Sequence, residues 1–280
     1  MEISLNVSIL EELSSFSSIK NTLNKIGISN LELPVKLWQE LEKKTDNLQS
    51  IKIIGLNNLL HSTKIFPLSI FADEQDFEEQ LTQLASKYES AQHLACSSIS
   101  LGIDPWVNMD LPSARNMFFK RIRKCAEEAA KKNICLTLEY ISHKIARNNG
   151  DKNKTLFCPS FRDAIKLIKD INIPNVGLLL DFLHWHCDIH SPPLLELIPF
   201  IKFVHICDHI NTDKEIINDS GRVLPFEGNL PLEKFLRELQ SINYNGPISI
   251  EVFRNDNYTP DIYEIKKSID RLKSRLSVGI

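Results

Sequence analysis

Four residues of the C-terminal half interrupt four successive apolar runs. Cys135-Leu136-Thr137-Leu138 runs into Glu139, Val176-Gly177-Leu178-Leu179-Leu180 into Asp181, Phe203-Val204 into His205, and Ile248-Ser249-Ile250 into Glu251. Each alone has an ordinary explanation, because a carboxylate at a strand end caps the next helix or holds a loop amide. Three carboxylates converging on one mouth are another matter. They repel one another and are costly to desolvate unless a cation or protons compensate. With one imidazole they form a hard, mostly oxygen donor set, suited to a divalent ion such as Mn²⁺ or Mg²⁺, with Co²⁺ and Zn²⁺ also accommodated.

The elements that would position them alternate along the chain. Short β-rich runs occur at Ile3–Asn6, Asn30–Leu33, Ile51–Leu56, His93–Ile99, Cys135–Tyr140, Val176–Asp181, Phe203–Cys207 and Pro247–Val252. Between or after them, helical periodicity predicts Ser15–Ile26, Val35–Lys44, Glu74–Tyr88, Ser113–Lys132, Ser160–Ile171, Pro193–Phe200, Pro231–Ile242 and Asp261–Leu276. Ser160 suits an N-cap and Pro231 a first helical turn. The last four runs are nearly continuous in apolar residues, as buried parallel strands are. This rhythm predicts an α/β chain forming a single (β/α)₈ TIM barrel over residues 1–280, with active groups at the C-terminal strand ends. The longest stretch without regular pattern, His209–Asn229, then lies on the active face as a substrate-covering loop.

The chain has 280 residues, 42% of them hydrophobic and 25% charged, in the range of an ordinary globular protein. A net charge of −3 argues against a general nucleic-acid binder. No apolar run reaches bilayer length, and the N-terminal residues carry an acid, Glu2, where a secretory signal carries basic groups. The six cysteines form no C-x-x-C pair and sit mostly in apolar surroundings. These features predict a cytoplasmic protein with reduced thiols, neither membrane nor nucleic acid as partner, and an oligomeric state left open to a homo-oligomer.

The strings LEY at Leu138–Tyr140, GLLLDFLHWH at Gly177–His186, VHICD at Val204–Asp208, and GRVLPFEGNLPLEKFL with YNGPISIEVF within Gly221–Phe253 resemble the xylose isomerase-like TIM-barrel family. The motifs cover the half from Glu139 onward; the N-terminal half matches in strand–helix rhythm. The resemblance implies Glu139, Asp181, His205 and Glu251 as metal ligands, His184 and Arg222 as substrate contacts, and Glu139 and Glu251 as the catalytic carboxylates. It implies a metal-dependent isomerase or epimerase of a small carbohydrate (a ketose, a polyol-derived ketone or a sugar phosphate), working by proton abstraction beside a carbonyl through an enediolate. Leu180–His184 and Pro225–Gly228 are also similar to the dehydroshikimate dehydratase pattern. A lyase acting on inosose or 3-dehydroshikimate at the same metal site is therefore the alternative. The family commonly has Pro-Gly-Glu-Gly where this chain has Pro225-Phe226-Glu227-Gly228, so Phe226 is expected to narrow the pocket or reshape the loop.

The same barrel serves DNA-repair endonucleases that bind zinc clusters, but those need more histidines from the early strands. Here the ends of runs 2 and 3 offer Glu32 and His61 at most. A non-catalytic binding protein would not need an intact donor set. Asp208 is a candidate to orient His205, to contact substrate or to cap a loop. His143 faces the pocket or solvent, His186 and His190 are expected in solvent, and Trp185 is expected to pack. Lys120, Arg121, Arg123, Lys124, Lys131 and Lys132, interspersed with Glu127 and Glu128, read as a solvated helix face.

Overall fold

The computed structural model describes residues 1–10, 16–34, 52–58, 70–93, 96–142 and 154–277. Eight parallel strands close into a barrel: β1 (Glu2–Asn6), β2 (Asn30–Pro34), β3 (Lys52–Asn58), β4 (Ser98–Ile103), β5 (Cys135–Tyr140), β6 (Val176–Asp181), β7 (Ile201–Ile206) and β8 (Pro247–Ile250). Each strand pairs with its neighbours in the chain, and β8 returns to β1 through the register Glu2↔Pro247 to Leu5↔Ile250. Among the described residues the helices are α1 (Phe16–Ile26), α2 (Glu74–His93), α3 (Leu111–Ala130), α4 (Phe161–Ile171), α5 (Phe182–Cys187), α6 (Leu194–Leu197), α7 (Leu232–Ser241) and α8 (Ile262–Ser277). None is long and apolar enough to cross a membrane. The helix expected at Val35–Lys44, and His61 and His143, lie outside the described residues.

Strand alternation sorts the side chains. Leu5, Leu31, Leu33, Leu136, Leu138, Leu178, Leu180, Val204, Ile206, Ile248 and Ile250 are buried in the main apolar core, to which helix residues such as Phe118, Ile122, Ile168 and Phe235 also belong. The intervening residues of the same strands face the barrel axis, and many are polar: Ser4, Asn6, Glu32, Thr137, Glu139, Asp181, His205 and Ser249 are all buried. A small separate apolar cluster of Ile54, Leu179 and Phe203 plugs the interior. Gly55 makes room for it, since a Cβ there would stand 2.9 Å from Phe203 Cε2.

The helices start where their caps dictate. Asp110 accepts from the Ser113 amide at the head of α3, which carries Pro112 in its first turn, and Ser160 accepts from the Asp163 amide at the head of α4. Asn172 ends α4 in the left-handed conformation, φ 50°. Pro231 directly precedes α7 rather than opening its first turn, and α6 is shorter than the Pro193–Phe200 periodicity suggests.

Two further expectations are corrected. The fourth strand is Ser98–Ile103, not His93–Ile99: His93 still belongs to α2, and the Cys96 amide bonds back to the Ala91 carbonyl to close that helix. Arg121 does not share the solvated face of α3. It is 2% exposed, lies over the Phe77 ring at 4.4 Å, and donates to the carbonyls of Ile70 (2.9 Å) and Ala72 (2.6 Å) and to Glu74 (2.8 Å). Lys120 and Lys124 stay outside and pair with Glu74 and Glu78.

The buried guanidinium thus ties residues 70–74 to α3. Arg121→Met keeps the stem packed on Phe77 but strands two carbonyls. Urea unfolding should show a loss of about 1–3 kcal/mol with an unchanged slope; an unchanged midpoint would mean the latch contributes nothing.

Candidate metal centre

Each residue at the mouth is placed by its strand. Glu139 is the penultimate residue of β5 and Asp181 the last of β6. His205 lies in β7, in register with Asp181 on one side and Ser249 on the other. Glu251 follows β8 directly, its amide donating to the Ile206 carbonyl at 3.0 Å. Ligand atoms of Glu139, Asp181, His205 and Glu251 all fall within 4.8 Å of one another, and all four residues are buried.

Asp181 has two tasks. Its Oδ1 accepts from the His184 amide and caps α5, while its Oδ2 faces the mouth, 2.8 Å from Arg222 Nη1 and 3.8 Å from His205 Nδ1. His205 presents its two nitrogens differently. Nε2 lies 2.9 and 3.0 Å from the two oxygens of Glu32. Nδ1 is buried and makes no hydrogen bond, although Glu251 Oε2 stands 3.2 Å away, and Glu139 Oε1 and Asp181 Oδ2 each 3.8 Å away.

The electrostatics follow from burial. Desolvation, opposed by His205 and reinforced by the charges of Glu251 and Asp181, pushes the Glu139 carboxyl up to about 7. Burial alone would lower His205, but the charges of Glu251 and Glu32 outweigh it and hold the imidazolium well above its ordinary range. Asp181 is held below the usual carboxylate value: burial would raise it, and the charges of Arg222, His184 and His205 prevail. The set fits a divalent ion on its own geometry. It offers one unbonded buried imidazole nitrogen and three converging carboxylates whose mutual repulsion a cation would relieve.

Arg222 is 1% exposed and sits inside this cluster. Nη1 contacts Asp181 at 2.8 Å and Glu251 at 3.2 Å; Nη2 contacts Asp219 at 2.7 Å and His184 Nε2 at 3.4 Å. His184 Nε2 also lies 4.0 Å from Glu139 Oε1, so this ring edge faces the mouth. The loop carrying Arg222 is held by a short antiparallel ribbon, Asp208–His209 against Arg222–Val223. Asp208 does not orient His205. Its Oδ1 accepts from the amides of His209 (2.8 Å) and Leu230 (3.0 Å) and clasps the two ends of the loop. Gly228 is required beside it, as a Cβ would lie 2.3 Å from that oxygen. Phe226 occupies the left-handed region, φ 70°, where glycine is favoured. Arg271 of α8 covers its ring at 4.9 Å and donates to its carbonyl, which braces the loop.

Asn6, whose Nδ2 lies 3.5 Å from Glu251 Oε1, and Asp219, paired with Arg222, belong to this site although no motif marks them, and Glu32 enters it as a partner of His205 rather than as a zinc-cluster ligand. The signal for Asn6 and Glu32 is a polar residue in an apolar strand, at the same level as the four strand-end residues.

An eight-stranded parallel barrel with acids and a histidine at its C-terminal mouth defines the chain as a TIM barrel with a candidate metal site. The chain belongs to the xylose isomerase-like TIM barrel family, whose model matches residues 22–275. It is 22% identical over 275 residues to an inosose isomerase of Bacillus velezensis, covering 92% of this chain and 90% of that protein. Among solved structures, it superposes on the IolI protein with a bound zinc atom at a TM-score of 0.76 and 20% identity, covering 100% of this chain and 99% of the other. It superposes on the probable 3-DHS dehydratase AsbF of Bacillus anthracis at 0.72 and 21% identity, covering 98% and 99%.

Trp185 and His186 follow His184 in α5, and His190 lies just beyond it. Trp185 packs on Phe235 and donates to the Pro192 carbonyl. His190 is exposed as expected, but His186 is half-buried, tilted on the Phe182 ring at 6.0 Å. Burial, helped by the Lys214 charge, pushes His186 from 6.5 down to about 4. A depressed folded value means stability that is present above the ordinary 6.5 and is lost as pH falls through about 4. His186→Gln should remove that component. The stability difference between wild type and variant, measured by urea unfolding from pH 7 to pH 4, should shift against the wild type as pH falls. A pH-independent difference would contradict it.

Proposed function

We propose that this protein is a divalent-metal-dependent isomerase or epimerase of a small carbohydrate, acting by proton abstraction beside a carbonyl, with residues 1–280 as one catalytic domain. The observation that carries the reading is the convergence of Glu139, Asp181, His205 and Glu251 ligand atoms within 4.8 Å at the mouth. The inosose isomerase name of a relative spanning most of the chain supports the activity, and the zinc in IolI supports the metal. The donor chemistry favours Mn²⁺ or Mg²⁺, with Co²⁺ or Zn²⁺ acceptable. The six free thiols suit a cytoplasmic protein.

When bound, the ion supplies a Lewis acid that stabilises negative charge developing on the substrate's oxygens. Glu139 and Glu251 are the proton-handling groups. They arise from β5 and β8, with β6 and β7 between them, and so address the mouth from different sides. One, as the carboxylate, removes the proton at the carbon beside the carbonyl, and the other, as the carboxylic acid, delivers its own proton to the opposite face, which is what epimerisation requires. His184 Nε2 and Arg222 face the same space and are suited to hold substrate hydroxyls, fixing which carbon lies within reach. The dehydratase reading starts from the same abstraction but expels a β-hydroxyl as water. The Leu180–His184 and Pro225–Gly228 strings keep it as the second reading.

The metal is tested first. Mn²⁺ at about one hundred times its dissociation constant should stabilise the fold by about 2.7 kcal/mol. Anomalous scattering should place one ion among the four side chains; no binding at millimolar Mn²⁺ would sink the reading. Glu251→Gln should lower turnover at least about a hundredfold while the fold survives.

The reaction is tested in D₂O with ketoses, inososes and 3-dehydroshikimate. An isomerase or epimerase gives a product of unchanged composition apart from deuterium at the reacting carbon. A dehydratase gives a conjugated, ultraviolet-absorbing product one water lighter. Tight binding without either would favour a binding protein.

A further inference from the structure

Glu32 is the one charged residue of β2, and it is buried inside the barrel with no exposed surface. A carboxyl in such a place is costly unless a hydrogen-bonding partner compensates it. Its partner is His205, from the far side of the sequence: Oε1 and Oε2 lie 2.9 and 3.0 Å from Nε2. Nearly equal distances are the geometry of one N–H shared by two acceptor oxygens. Nε2 is thereby held as a donor to Glu32. An ion at the mouth would take the place of the second ring proton, so it is Nδ1 that would offer its lone pair there.

That atom faces the mouth. Nδ1 is buried without a hydrogen bond, ringed by carboxylate oxygens of Glu251, Glu139 and Asp181 at 3.2, 3.8 and 3.8 Å. The ring is also limited from below, where Phe203 stands perpendicular to it with centroids 5.5 Å apart. We infer that Glu32 is a positioning residue: it fixes the tautomer and the rotation of His205 so that Nδ1 is the atom presented to the metal. This rests on the proposal that the four mouth residues hold a metal ion. It also gives Glu32 a different task from a ligand of a second ion, because both its oxygens are engaged by His205.

The test uses the full chain, Zn²⁺ as the probe, calorimetry for affinity and ¹⁵N–¹H spectra of the imidazoles for the tautomer. In the wild-type zinc complex, the His205 proton should reside on Nε2 and the metal on Nδ1. Glu32→Gln keeps an acceptor oxygen and the tautomer, and should lose about tenfold in Zn²⁺ affinity; Glu32→Leu should lose about a hundredfold and mix the tautomers. Zinc held through Nε2, a second zinc on Glu32, or variants that bind as tightly as wild type would overturn the inference while leaving the metal site standing. Absence of zinc binding by the wild type would overturn both. If Glu32→Leu does not fold, the wild-type spectrum and Glu32→Gln still decide.

Discussion

Everything at the mouth answers to one demand: negative charge gathered where water is scarce must be balanced. Asp181 and Glu251 are 1% and 2% exposed, Glu139 8%, and their oxygens converge. An unpaired buried carboxylate costs several kcal/mol, so positive charge has to be brought to it. The protein brings Arg222, 1% exposed, from outside the barrel strands, on a loop held by the short Asp208–His209/Arg222–Val223 ribbon. That choice dictates the loop. Its ends must be clasped, which Asp208 does through the amides of His209 and Leu230. Its backbone must pass close to that clasp, which only Gly228 permits. One residue must turn left-handed, and Phe226 does so at a cost of about 1 kcal/mol, offset by the cover of Arg271.

The barrel makes such a site feasible by putting its polar residues on the inside. Alternation along each strand gives the helices a continuous apolar surface and leaves the axis to Ser4, Asn6, Glu32, Thr137, Ser249 and the four mouth residues. The Ser100 and Thr137 hydroxyls satisfy one another across strands at 2.8 Å. Ile54, Leu179 and Phe203 form a small apolar plug among these polar residues. Because Phe203 meets His205 edge-on, packing of the plug reaches the donor set directly.

This division explains what could be read in the sequence. Glu139, Asp181, His205 and Glu251 were legible because each breaks an apolar run where a parallel strand must end. The eight-fold alternation was legible for the same reason, since helix and strand periods differ. Three things were hidden. In Leu31-Glu32-Leu33, alternation usually means a solvated face, whereas in a closed barrel the alternate face is interior. In β4 the inward residues are Ser98 and Ser100, which dilute the apolar signal and let the preceding Leu94-Ala95-Cys96 stretch pass for the strand. Arg121 sits at a charged position of α3, yet its long side chain folds back over Phe77 to reach two carbonyls.

The spacing from Asp181 to His184 shows how a ligand and a substrate-facing group become inseparable. Asp181 ends β6 and is at once the N-cap of α5, so one of its oxygens is committed to the amide three residues on. That bond fixes where α5 begins, and thereby sets His184 in its first turn with Nε2 within 4.0 Å of Glu139. The other oxygen is left pointing at Arg222 and His205. Moving the aspartate by one position would withdraw an oxygen from the cluster, release the helix and turn the histidine away together. The Asp-x-x-His spacing is thus set by helix-capping geometry as much as by the donor set. An isomerase and a dehydratase built on this barrel can share it unchanged, because it determines where a substrate oxygen is held and leaves open which bond breaks afterwards.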